Sequence, residues 1–191
     1  CRHQMRTITT ETGDGFAKQE ENFNDGDGES SYARARFGSG GAGGTWEMKM
    51  GDVPVAGADP QAEFDWASGQ TESFSYAYDG SGNATFNLSG TEITSPISAP
   101  AGRLAITVKA DVDAAIDVEN LELSLDGDMV TLDSDTAISA SNSDPRVRYL
   151  VINTTAADVS APFEVTGDVT VTLQGGFAGG EEGVAFDVSV E

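Results

Sequence analysis

The sequence predicts an all-β chain: two packed sheets, a β-sandwich or jelly roll, preceded by an extended N-terminal arm. Three observations carry that expectation. Large apolar and aromatic residues recur at every second position over short runs, the period of a strand with one face buried. Clusters of Gly, Asp, Asn and Pro punctuate the runs, as hairpin connections require. No stretch shows the 3.6-residue periodicity of a convincing amphipathic helix.

The 191 residues suffice for one core. Composition divides them into an arm with an acidic, Gly-rich linker over residues 1–30 and a sandwich domain over 31–191. The arm reads CRHQMRTITTETGDGFAKQEENFNDGDGES. Residues 5–12 are threonine-rich and β-prone, but large apolar side chains are too few for a core of the arm's own. In the body, Phe64 and Trp66 alternate with Glu63 and Asp65. Phe74, Tyr76 and Tyr78 alternate with Ser73, Ser75 and Ala77, and Phe86 and Leu88 flank Asn87. Each set places its rings on one sheet face and its polar groups on the other. Between the last two, Asp79-Gly80-Ser81-Gly82-Asn83 reads as a hairpin loop.

Leu104, Ile106 and Val108 form the next run. In Ile116, Val118, Leu121, Leu123 and Leu125 the alternation changes phase at Glu119-Asn120, the mark of a β-bulge. Asp126-Gly127-Asp128 turns the chain into residues 129–132, and residues 133–144 read as a loop. Val147–Ile152, Phe163–Leu173 and Val184–Val190 bring the total to about ten strands, which imply two packed sheets.

A further series has a family look: Phe64-Asp65-Trp66, Phe74-Ser75-Tyr76, Gly82-Asn83-Ala84-Thr85-Phe86, Arg103-Leu104-Ala105-Ile106, Val118-Glu119-Asn120-Leu121-Glu122-Leu123, Tyr149-Leu150-Val151-Ile152 and Phe163-Glu164-Val165-Thr166-Gly167. In strand pattern and spacing, roughly residues 62–190 resemble the choice-of-anchor W domain of exported, surface-sorted microbial proteins. The resemblance implies export and surface display, hence an extracellular or cell-surface location, and brings no catalytic residues. The chain departs from the family layout by ending directly after the last strand, at Val190-Glu191.

Thirty-two acidic residues face ten basic ones, a formal net charge of -22. Such a surface repels nucleic-acid phosphates and anionic lipid, so neither is an expected partner. It suits a solvated coat, a high-salt habitat, or the binding of calcium, which prefers hard carboxylate oxygens. Calcium is therefore the cofactor candidate. Its ligand candidates are Asn24, Asp25, Asp27 and Glu29 on a Gly-permitted loop, then the pairs Asp111/Asp113 and Asp126/Asp128. Each also reads as a plain turn or linker. No stretch approaches the ~20 apolar residues of a membrane span.

Nothing supports an enzyme. His3 lies in the arm, and no nucleophile elbow, phosphate loop or zinc-ligand spacing occurs. With so many acids, any carboxylate pair fit for glycoside hydrolysis is uninformative. The aromatic rows could stack sugars but serve better as core; Trp46, beside the Gly-rich residues 38–44, is the ring to check for exposure. Three sequons mark Asn83, Asn87 and Asn153 as candidate glycan acceptors, the first two on the solvent parity of their strand. The lone cysteine, Cys1, could carry lipid, bridge to another chain or mark a processing boundary.

The functional expectation is an extracellular structural subunit that forms a filament or matrix with copies of itself. The arm, with Cys1, Arg2, His3, Met5, Arg6 and Ile8, would add as a donor strand to an acidic neighbour's sheet edge. The alternative is a calcium-stabilised module that binds carbohydrate or another surface.

Overall fold

A computed structural model describes residues 5–25, 28–29, 31–37, 46–51, 59–141, 145–175 and 183–191, with 24–25 and 28–29 described by backbone alone. The chain is nearly all-β. Its strands are β1 (Thr7–Asp14), β2 (Asn24–Asp25), β3 (Gly28–Glu29), β4 (Ser31–Arg36), β5 (Met48–Gly51), β6 (Gln61–Ala62), β7 (Thr71–Tyr78) and β8 (Asn83–Leu88). There follow β9 (Thr91–Pro96), β10 (Leu104–Ala110), β11 (Ala114–Leu125), β12 (Asp128–Asp133), β13 (Ile138–Ser141), β14 (Val147–Ile152), β15 (Phe163–Leu173) and β16 (Val184–Val190). Two short helices, α1 (Ala17–Glu20) and α2 (Ala156–Ser160), interrupt them.

The strands are joined in one sheet, in the order β6-β5-β4-β16-β10-β14-β1-β12-β11-β15-β7-β8-β9, with β13 on β11 and a separate β2–β3 hairpin. Six strands from β6 to β14 make one bank, and those from β12 to β9 make the other. Their apolar faces meet: Phe186 of β16 lies 4.9 Å from the Phe74 ring and 6.0 Å from Phe86. At the far ends, β5 and β6 approach β9. The result is a nearly closed, barrel-like sheet. The expectation of two separate sheets is thus replaced by one continuous sheet, because β1 bonds to both banks.

Alternation explains which faces are buried. On β7 and β8, Phe74, Tyr76, Tyr78, Phe86 and Leu88 all point inward, at 3, 0, 6, 0 and 0% exposure. The Asp79–Asn83 connection is a hairpin, closed by the Asp79 amide on the Asn83 carbonyl at 3.0 Å. The Asp79 carboxylate also accepts the Ser81 and Asn83 amides, and these bonds hold its pKa below the ordinary carboxylate range. Leu125 pairs with Asp128 around Asp126 and Gly127, at φ 50° and 83°, the left-handed pair that an Asp-Gly hairpin supplies.

The phase change at Glu119-Asn120 is a bulge: pairing with β15 passes from Glu119↔Asp168 to Glu122↔Thr166. Asn120 takes φ 55°, and Leu121 stays inside at 3% exposure. Gly167 faces Phe74 directly across the β15–β7 ladder. A Cβ there would stand 2.8 Å from two carbons of the Phe74 ring, so glycine makes the space that the ring fills.

Three further expectations change. Residues 133–144 include β13, which pairs with the first half of β11 and buries Ile138 and Ala140 at 3% each. Phe64 and Trp66 are not on a strand. Their half-buried rings meet edge-on at 4.9 Å and pack against the core, anchored by the Phe64 amide on Glu47 and the Trp66 indole on the Arg36 carbonyl.

The third is the arm. Residues 7–14 are a strand of the chain's own sheet, so the described arm residues do not stand free. Three apolar side chains, too few for a core, are enough to join one already made: Ile8 enters the main core, while Ala17 and Phe23 close over Ala105 and Val151 on the outside of β10 and β14.

Candidate functional site

The N-terminal strand and its slot are the candidate site. Thr7–Thr9 run parallel to Thr131–Asp133 of β12; Thr10–Asp14 run antiparallel to β14, opposite Ile152 back to Arg148. One strand therefore changes partner midway and bridges the two banks. Without it, β12 and β14 would each present an unpaired backbone edge.

β1 is held mostly by polar contacts. Ile8 is its only large apolar side chain in the core, worth about 1.5–3 kcal/mol. Buried Thr10 gives and takes more than one bond: its hydroxyl contacts the carbonyls of Asp133 and Asp135 at 2.9 and 2.8 Å and accepts the Asp135 amide at 2.8 Å. Asn153 donates its side-chain amide to the Thr9 hydroxyl at 3.0 Å and its backbone N–H to the Thr9 carbonyl. Gly13 lies beneath Tyr149, with a Cβ position only 2.2 Å from the phenol oxygen.

Both ends of the strand are clasped. At the start, the Arg6 guanidinium forks onto both carboxylate oxygens of Asp158, with Nη2–Oδ2 at 3.0 Å. Asp158 also completes the capping box of α2, whose N-cap is Thr155: its carboxylate accepts the Thr155 amide, and the Thr155 hydroxyl accepts the Asp158 amide. The Arg6 bond, then the Thr155 bonds, hold the Asp158 pKa below the ordinary carboxylate range against the opposing effect of burial. Beyond the other end, Tyr149 donates to Glu21 at 3.0 Å, and Arg103 bonds to both Glu21 and Glu191. Burial and then the Glu21 contact raise the Tyr149 pKa.

Beside the first clasp lies a cleft of about 600 Å³, with Met5, Leu125, Met129 and Val130 among its walls and Arg6, Asp126, Asp128 and Asp158 as its charged groups. Met5 and Met129 are large apolar residues left exposed, at 53% and 45%.

The other predicted sites are dispersed. Among the assembly residues, Cys1, Arg2 and His3 lie outside the described residues; Met5, Arg6 and Ile8 belong to the cleft, clasp and core just described. Of the first calcium loop, Asp27 lies outside them, while Asn24, Asp25 and Glu29 contribute backbone to the β2–β3 hairpin. Asp111 is engaged by Arg146 at 2.7 Å and by the Val112 amide, and Asp113 sits at φ 61° in the tight turn before β11. Asp126 and Asp128 belong to the β11–β12 turn. Among the described residues, no three His, Cys, Asp or Glu side chains converge on a metal-sized point.

Trp46 is half-buried, and the Arg36 guanidinium lies over its ring at 3.6 Å, with the Lys49 ammonium at 5.5 Å. A sugar would have to displace that cover, so a free stacking platform is not present at this ring. Asn83 is exposed; Asn87 and Asn153 are half-buried, tied to Glu92 and Thr9 respectively. Sequence reasoning did not find Asp158, the clasp partner: its signal, the Thr155-x-x-Asp158 capping pattern, predicts a helix start but not a contact 152 residues away.

No protein-family model matches this chain, and no curated protein matches it.

Proposed function

We propose that this chain is an extracellular structural subunit that assembles with copies of itself by exchanging β1. The observation that carries the reading is the β1 slot, a strand position between two accepting edges filled by the first described strand. A donor strand from a neighbour could occupy the same position with the same register. Exchange would conserve both ladders, the Thr10 bonds and the burial of Ile8. The balance between closed monomer and exchanged polymer then rests on concentration and on the hinge. Gly15, at φ 108° directly after the last residue of β1, is the position for that hinge.

Donation in one direction does not close on itself, so it propagates as a filament. The resemblance to exported, surface-sorted domains supports a location outside the cell. The high negative charge adds that assembly should need salt or divalent ions to relieve repulsion between subunits.

Thr7 and Thr131 are exposed cross-strand partners, close enough in Cα spacing for a disulfide. With Cys1→Ser, the variant Thr7→Cys/Thr131→Cys should stay monomeric when oxidised and form filaments when reduced, as scored by negative-stain imaging at high protein concentration. Filaments from the oxidised, internally locked protein would refute exchange, and so would monomers alone in both states.

A further inference from the structure

We infer that the Arg6–Asp158 ion pair is a latch that sets how often β1 leaves its slot, opened by salt or by acid. As the control of strand exchange it rests on the function proposed above; as a property of the strand it stands on the geometry alone. Because β1 places one large apolar side chain in the core, its docking depends on polar contacts more than does that of β7 or β15, each of which buries several rings or valines. Strands so held open locally before the molecule unfolds.

Two ion pairs hold β1, Arg6–Asp158 at its start and Arg148–Asp14 at its end, and the first is the one tied to a second element, through the capping box of α2. Arg6 is 53% exposed along its side chain and borders the open cleft, while Asp158 is 9% exposed and fixed by its cap to α2. One partner is thus held by its own helix and the other stands open to solvent, as a latch requires. A screened or protonated Asp158 frees Arg6 at the first residue before the strand, where the Arg6 carbonyl also accepts the Thr131 amide at 2.8 Å. Opening then frays β1 from its β12 end.

The groups facing the pair are Asp126 and Asp128 from the β11–β12 turn, besides Arg6 itself and Asp158 from α2. Of these charges it is Arg6 that acts on Asp158, lowering its pKa together with the Thr155 bonds against the opposing effect of burial. Acid release follows the sign of the Asp158 shift. With its pKa depressed in the folded state, the contribution is complete above about pH 4 and disappears as pH falls through the lower folded value.

Amide hydrogen exchange at pH 7 in the full chain tests the latch. Asp158→Asn, which can still cap α2, and Arg6→Gln should each lower the protection of β1 amides by about tenfold, with β15 amides unchanged. Raising NaCl should lower β1 protection relative to β15 in the parent chain and lower it less in Asp158→Asn, where only the Asp14–Arg148 pair still responds. Unchanged protection in both variants, or the same salt response with and without Asp158, would overturn the latch. Mixing isotope-labelled with unlabelled copies separates the two ideas. If β1 opens as expected yet copies never exchange, the latch stands and the assembly reading fails; if the copies exchange at the parent rate in Asp158→Asn, the latch fails.

Discussion

Replacing Ile8 with alanine asks whether β1 is part of this subunit's own fold in solution. The position is 3% exposed and belongs to the main core. The change removes three carbons, so transfer alone costs about 2.4 kcal/mol at roughly 0.8 kcal/mol for each. A rigid cavity would add to that, within the ~2–5 kcal/mol range of Ile→Ala changes. Half-buried Leu132, the cross-strand partner of Ile8, packs against the same core and has room to settle, so the expected loss is about 2.5–3 kcal/mol. At this chain length that lowers Tm by about 6–10 °C. Urea titration followed by far-UV circular dichroism, at one fixed salt concentration, measures the loss.

The value has an informative ceiling. Should docking of the strand contribute less than the cost of the cavity, β1 detaches, the global loss stops at the docking free energy, and β1 amides lose their protection. Ile8→Val, expected to cost about 1 kcal/mol, lies below that ceiling. A loss under about 0.5 kcal/mol for Ile8→Ala, the usual size for a surface change, would mean that Ile8 is not buried in solution and would refute the self-inserted strand.

Two further outcomes follow from the packing and the titrating groups. Gly167→Ala should destabilise by about 1–3 kcal/mol, since its Cβ meets the Phe74 ring, and Phe74→Leu should recover part of that in a double-mutant cycle; a stabilised Gly167→Ala contradicts the packing. Tyr149 has a raised pKa in the fold, so its contribution is whole below about pH 10 and is lost as pH rises through the higher folded value. Thermal melts across that window should decline less steeply for Tyr149→Phe, and identical slopes would show that the phenol does not titrate as described.

How much was legible from residues alone depends on how local each signal is. The two-residue period placed the rings of β7 and β8 inward. Asp126-Gly127 and Asp79–Asn83 declared their turns, and Glu119-Asn120 declared its bulge. Each is a preference of a few adjacent residues, set by side-chain alternation or by tolerance of positive φ. Among the strands not read from the sequence, β13 is short and Ser/Ala-rich, so its edge in β11 decides it. Phe64 and Trp66 alternate like a strand but lie against core without a ladder partner.

The sequence by itself determined a β-rich chain with an acidic surface, and the places of β7, β8, β10–β12 and β14–β16. Only the tertiary structure decided where residues 7–14 go. A segment with a single large apolar side chain has no core to announce, and its docking energy comes from edges and polar partners more than a hundred residues away. Thr10 finds Asp133 and Asp135, Thr9 finds Asn153, and Arg6 finds Asp158. Contacts of that kind have no local period, because they exist only once the rest of the chain has folded to leave a strand-wide gap.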